Sequence, residues 1–271
     1  MNDRQPPGLR DLGSGTRARA RGHTRAVPGG RIRARRNPRA LSDPADRLSG
    51  MAQTRKNRPA APRAAAPDLP AHLGEVDGLR RYDEVSESAV LGLSGDVDAS
   101  HAHLSECVIR DAQLDRLDLT GATLTDLDVE DLQVTELVLR NARLRRVRMS
   151  GGRIGTLDLS GAEVDSLELR DVRIDYLGLN GAEGNDVVVA GCRLRTLDVP
   201  LAKLKRVAFR DSGAEDVDSR DLDATDVDLR GLDARVFTSV TGLRGATLTE
   251  TQVRELAVQM ALQAGIDVKE G

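Results

Sequence analysis

A chain of 271 residues with no Trp, two Phe and two Tyr lacks the large aromatic pieces from which a broad globular core is usually built. That composition points to a narrow core lined by one layer of Leu, Val and Ala, so internal repeats are the first thing to seek. The formal charge of −3 averages two unlike parts: residues 1–66 hold 16 Lys or Arg against 4 Asp or Glu (net +12), and residues 67–271 hold 24 against 39 (net −15).

Residues 1–66 read as a basic leader rich in Arg, Pro, Gly and Ala, for example RARARGHTRAVPGGRIRARRNPRA. With almost no periodic apolar residues it cannot bury enough surface to offset its ordering entropy, so disorder is expected. An Arg-rich arm can bind nucleic acid by counterion release; a solvated tail is the plainer reading. All 12 basic residues of 1–50 are Arg, which fits GC-rich coding better than a selected arm, and Met51 opens a tidier start. Residues 1–50 are therefore expected not to belong to the natural protein.

Residues 67–96 bring apolar residues such as Leu79, Val85 and Val90 without a regular beat. They are expected to form short strands or turns that cover the first coil of a solenoid, whose open end would expose core and strand edge.

From Val97 to Ser239 an apolar residue recurs every five positions, with another two places before it, over 29 pentapeptides in one frame. Gly152 and Ser212 break the rule at the first inward position, and Gly184, Ser219 and Ser239 at the second. A period of five fits neither a helix nor a flat strand. It suggests a short extended piece and a corner, and four corners close a square coil of 20 residues. Two columns check this independently. Ala102, Ala122, Ala142, Ala162, Ala182 and Ala202 are spaced by 20, as are Leu117, Leu137, Leu157, Leu177 and Leu197. The expected core also includes Leu104, Leu119, Leu124 and Leu159. About seven coils at roughly 4.8 Å give a rod about 35 Å long. Gly121, Gly151, Gly161, Gly181 and Gly191 fall at corners, where left-handed φ is expected. Cys107 and Cys192 fall on inward positions about four coils apart, beyond disulfide reach, and read as small buried hydrophobes.

Units such as Ala122-Thr-Leu-Thr-Asp126 resemble the pentapeptide-repeat family, A(D/N)LXX, over roughly residues 97–248. The chain departs from it by using Leu or Val as often as Ala at the first inward position. The resemblance implies an all-β right-handed quadrilateral β-helix. It assigns no one function, although some members are acidic DNA-like rods that bind DNA gyrase and protect it from quinolones.

After residue 241 the frame slips, and Ala246 and Leu248 sit one place early. Thr249 and Gln252 form a capping-box pattern. Val253, Leu256, Ala257, Met260, Ala261 and Ala264 follow at helical spacing, with Gly265 suited to the C-terminal end. One helix over 250–263 is expected to cover the last coil, within a C-terminal cap spanning 242–271. Val258 and Leu262 offer a weaker second stripe, which related proteins use for dimer formation.

No apolar run approaches the ~20 residues of a membrane helix, and no secretory signal is visible. A cytoplasmic protein that engages no membrane is expected. A straight rod with outward polar ladders offers no concave site for catalysis, so the chain reads as a non-enzyme without cofactor or small-molecule substrate. His101 and His103 could face the same way, but no firm third metal ligand accompanies them. Charge is the informative surface feature. Arg140, Arg143, Arg145, Arg146, Arg148 and Arg153 form a belt, Arg173 and Arg193 extend the Arg153 column, and Asp216, Asp218, Asp221, Asp223, Asp226 and Asp228 make the far end acidic. These residues are the candidate interaction surface. The expected function is a scaffold presenting charged ladders to an unidentified protein partner; the alternative is a DNA-mimicking modulator of DNA gyrase.

Overall fold

The computed structural model describes residues 58–269, and residues 1–57 of the expected leader lie outside the described residues. Two inward residues in each five, followed by a corner, wind the chain into a right-handed β-solenoid of about eight turns. The N-terminal cap contributes β1 (Gly74–Val76), β2 (Glu84–Ser86), β3 (Ser88–Leu91) and β4 (Ser94–Asp98). Eight-residue strands then alternate with shorter ones: β5 (His103–Arg110), β6 (Gln113–Asp118), β7 (Thr123–Glu130), β8 (Gln133–Val138), β9 (Arg143–Ser150), β10 (Arg153–Asp158), β11 (Glu163–Arg170), β12 (Arg173–Gly178), β13 (Glu183–Ala190), β14 (Arg193–Asp198) and β15 (Lys203–Arg210). The series closes with β16 (Ser212–Asp218), β17 (Asp223–Asp228), β18 (Leu232–Phe237), β19 (Ala246–Thr247) and helix α1 (Glu250–Gln263). Odd-numbered strands stack in one parallel sheet, which β2 also joins, and even-numbered strands from β4 to β18 stack in another.

The 20-residue coil is the register of the ladders. Leu117, Leu137, Leu157, Leu177 and Leu197 pair in succession. The Ala column from Ala102 to Ala202 is fully buried. Each of its carbonyls accepts the N–H one coil later at 2.9 Å, as in Thr123 to Ala102 and Asp223 to Ala202. From Ala99 to Phe237 every inward position is buried except Gly152, Leu222 and Ala234, which are half-buried. Each buried Leu contributes about 1.5–3 kcal/mol over its exposed state.

The exceptions to the repeat have physical reasons. Ser212 points inward but donates to the carbonyls of Val189 and Arg210 and accepts the N–H of Cys192. Ser219 donates to the Ser239 carbonyl at 2.6 Å. At Gly184 the side chain of Leu204 fills the space, 2.9 Å from where a Cβ would stand. Gly152 has φ +78°, and a Cβ there would lie 2.3 Å from the Leu132 carbonyl oxygen. Between residues 101 and 221 three corners of each coil are left-handed. In the coil of Asp126 they fall at Asp126, Asp131 and Asn141, with φ between 52° and 54°. The five corner glycines all have φ between 64° and 68°.

Eight turns rather than seven arise because the N-terminal cap is itself a coil. Val85 pairs with Leu104 and Val90 with Ile109, each 19 residues on. A register shift between Gly95 and Asp96 restores the spacing of 20. The one-residue deficit hides this coil from a search for a five-residue beat. The same deficit recurs at the far end, where Val227 pairs with Ala246.

Residues 58–70 run along the outside of the rod, and three of their backbone N–H groups donate to one corner column: Asp68 to Asp126 (2.9 Å), Ala65 to Ser166 (3.0 Å) and Arg63 to Asp186 (2.8 Å). The strap descends toward later coils as the chain is followed backward. Short runs between Pro59, Pro62, Pro67 and Pro70 keep it extended.

Helix α1 spans the expected residues, and Thr249 and Gln252 form the full capping box. Its contact with the rod is less apolar than expected. Only Leu256 is buried, Met260 is half-buried and Val253 is 41% exposed. Glutamines hold it instead. Gln252 Nε2 donates to the carbonyls of Leu229 and Leu232, Gln259 to Phe237, and Gln263 to Thr238. They satisfy backbone acceptors that the last coil would leave unpaired.

Candidate interaction surface

Four sides of the coil carry the outward residues. Successive coils place residues 20 apart above one another at about 4.8 Å. On the side of Arg143 the column reads Arg143, Glu163, Glu183, Lys203, Asp223, and its charges neutralise one another: Arg143 meets Glu163 at 3.3 Å and Lys203 meets Glu183 at 2.7 Å.

The arginine belt is mostly engaged inside the rod. Arg140 pairs with Asp158, Arg143 with Glu163, Arg146 with Asp126, Arg148 with Asp128 and Arg153 with Asp175. Three of those carboxylates, Asp126, Asp128 and Asp158, are buried. Arg145 alone of the six has no ion pair among the described residues. The bidentate guanidinium of Arg146 holds the Asp126 carboxyl below the usual carboxylate range, and Arg206 does the same for Asp186. These pairs sit on the strap's corner column, so they anchor the fold rather than face a partner.

The acidic end divides in two. Asp218 and Asp228 accept the backbone N–H two residues on, from Arg220 at 3.1 Å and Arg230 at 3.2 Å, and pair with the same arginines. Those guanidiniums lower both carboxyl pKa values. Such Asx turns also occur at Asp98, Asp118 and Asp158. An Asp just before the central inward residue is therefore turn chemistry, a signal the sequence carried and charge counting missed. Asp216, Asp221 and Asp223 are exposed and Asp226 is half-buried, and none has an ion pair among the described residues.

Arg173 and Arg193 differ from the belt. They stand in register with Arg153 and with each other. Among the described residues neither has a carboxylate partner, and neither does Arg195. Arg193 donates only to the carbonyls of Asp211 (3.1 Å) and Cys192 (3.4 Å). All three border a cleft of about 1040 Å³ on one side of the rod, closed at its lower end by the first turns of α1 (Thr249, Gln252, Glu255). A second groove of about 620 Å³, lined by Gln113, Gln133 and Gly155, shares Arg153 and Asp175 with it.

Elsewhere the chemistry is structural. His101 stacks on Tyr82 with ring centroids 5.3 Å apart. Among the described residues no group of His, Cys, Asp and Glu could hold a metal ion. Cys107 and Cys192 are free and buried, and burial raises both thiol pKa values. Tyr176 donates to Asp198, and burial together with that carboxylate pushes its phenol up to about 12. Among the described residues no helix is long and apolar enough to cross a membrane.

The family model for pentapeptide repeats matches the chain in eight copies at residues 96–126. No curated protein matches the chain. Among solved structures the chain is similar to two trypsin-treated variants of QnrB1, a plasmid-mediated fluoroquinolone resistance protein. One is 15% identical, covering 67% of this chain and 100% of that one, with a TM-score of 0.24. The other is 16% identical, covering 72% and 96%, with a TM-score of 0.20.

Proposed function

We propose that this chain, whose residues 96–126 match the pentapeptide-repeat model, is a non-enzymatic interaction protein presenting charged ladders to a protein partner. One observation carries the reading: five of the six belt arginines are engaged in ion pairs between coils, whereas Arg173 and Arg193 stack in register beside a cleft with no carboxylate partner among the described residues. The test is affinity purification from the source cells with the full chain, and with variants in which one side at a time is charge-reversed. A protein retained by the wild type and lost with one reversed side supports the reading; retention that no side affects refutes it.

A second reading is a modulator of DNA gyrase or another topoisomerase. The exposed acids Asp216, Asp221 and Asp223, which have no ion pair among the described residues, favour it, because exposed carboxylates can imitate phosphates. Against it stand the mixed-charge ladder on the Arg143 side and the arginines that have no carboxylate partner among the described residues. A supercoiling assay with and without a quinolone decides, and no effect at micromolar protein removes this reading.

A second copy of the chain is a further candidate partner. Val258, Leu262 and Ile266 are each more than half exposed near the C-terminal end. Leu262→Asp should convert a dimer to a monomer in light scattering; a wild type that is already monomeric removes the idea.

A further inference from the structure

We propose that the side of the rod bearing Arg153, Arg173 and Arg193 is a docking site for an extended acidic segment of a partner protein. This rests on the reading of the chain as an interaction protein and names the chemistry its partner brings.

The first ground is unbalanced charge. Like charges directly opposite in neighbouring strands are destabilising, and Arg173 opposes Arg193 with no acid between them. Gln133 and Gln113 occupy the same column two and three coils before Arg173, so the fold accepts an uncharged residue there. Arg173 and Arg193 thus cost the fold stability that a bound anion would return.

Shape is the second ground. The cleft and the neighbouring groove join at Arg153 and Asp175 into one trough along the rod axis. Glycine keeps its floor low. At Gly155 a Cβ would stand 2.5 Å from the Thr135 carbonyl oxygen, and at Gly213 the Arg193 side chain reaches over the open position.

The third ground is that this rod already holds an extended segment laid along its axis. Arg63 and Asp68 of the strap, five residues apart, meet Asp186 and Asp126, three coils apart. At ~4.8 Å per coil that is about 2.9 Å per residue, close to the ~3.1 Å rise of polyproline II. In that conformation side chains repeat every three residues, or about 9.3 Å, and two coils span about 9.6 Å. Carboxylates at i and i+3 therefore span Arg193 and Arg153, with Arg173 between them, and the one at Arg153 competes with the chain's own Asp175.

The lower end of the trough carries Asp211, Glu215, Asp233 and Glu255 against Arg230 and Arg235, an excess of acid. These acids repel a continuous polyanion such as a nucleic acid strand, but tolerate a peptide whose acids cluster opposite the arginines.

The test uses the full chain and a labelled 13-residue peptide of Pro and Ala with Glu at every third position. Fluorescence anisotropy at about 50 mM salt keeps exposed charges from being screened. The double variant Arg173→Ala/Arg193→Ala should bind about tenfold more weakly than wild type, because two charge-assisted bonds are lost, while its melting temperature stays equal or rises. A photo-cross-linking version of the peptide should label β10 to β14. Binding that changes less than twofold, or cross-links confined to other parts of the chain, overturns the proposal. So does a single-stranded oligonucleotide of equal length whose binding falls more than the peptide's in the double variant. If the peptide fails while a reversed side still loses a cellular partner, the interaction reading stands and only the acidic segment is wrong; if both fail, both fall.

Discussion

Replacing Asp126 by Ala removes a carboxylate that joins three parts of the molecule. Its side chain is 4% exposed and engages the Arg146 guanidinium, itself 29% exposed, through both oxygens. Oδ1 also accepts the Asp68 N–H of the strap at 2.9 Å. The substitution leaves a half-buried cation without its anion and a backbone donor without its acceptor. Breaking a fully buried pair costs about 3–5 kcal/mol. Arg146 keeps partial access to water, which lowers that to roughly 2 kcal/mol, and the orphaned N–H adds about 1 kcal/mol. A domain of ~200 residues loses about 2–4 °C of melting temperature per kcal/mol, so a fall of about 6–12 °C is expected. Thermal unfolding by circular dichroism measures it, and amide hydrogen exchange at Asp68 should speed up in parallel. A melting point within about 1 °C of wild type and unchanged protection at Asp68 would refute the reasoning, because the strap and the ion pair would then carry no stability.

Three further outcomes follow from the same geometry. Leu157→Ala, at a fully buried position of the Leu column, should cost about 2–5 kcal/mol, whereas Glu163→Ala, whose side chain is 65% exposed, should stay within about 0.5 kcal/mol; equal melting points would contradict the inward assignment. Gly152→Ala should abolish soluble expression because its Cβ meets the Leu132 carbonyl, while Gly181→Asn, at φ +64° with open space around it, should remain folded with a loss of about 1 kcal/mol or less. Stability should fall at both ends of the pH scale. Asp126, Asp186, Asp218 and Asp228 have folded pKa values below their ordinary ones, so their contribution is present above pH ~4 and is lost as pH drops through the folded values. Tyr176 has the opposite sign: its contribution is complete below pH ~10 and disappears as pH rises through about 12, which absorbance at alkaline pH combined with unfolding curves would detect.

The core was legible because inward positions obey one rule, and a 20-residue column such as Ala102 to Ala202 leaves little room for another coil size. The N-terminal coil was not legible. Its 19-residue length puts Val85 and Val90 out of phase with the repeat, and the shift at Gly95 that repairs the phase leaves no pattern in composition. The strap was hidden for a different reason. Its anchors are backbone N–H groups, which every non-proline residue owns, and its partners lie 58 to 123 residues away. The candidate surface was half legible. Charge counting found the arginines and aspartates, but it could not separate Arg148, engaged with buried Asp128, from Arg173, which meets no acid. That distinction depends on what stands one coil above or below. The glutamines of α1 were passed over because an apolar stripe was sought, while Gln252, Gln259 and Gln263 at spacings of seven and four already marked a polar one.

The strap also orders events during synthesis. Its anchor points become available in sequence: residue 126 emerges first, then 166, then 186, and they are met by Asp68, Ala65 and Arg63 in turn. At about 5–20 residues per second the ribosome releases one 20-residue coil every 1–4 s or so. Three coils on this column can thus be clamped from outside soon after each is laid down. The last of these anchors, Arg63 to Asp186, can close only after the coil that carries Asp186 has been made, so the strap is complete only on a nearly complete rod.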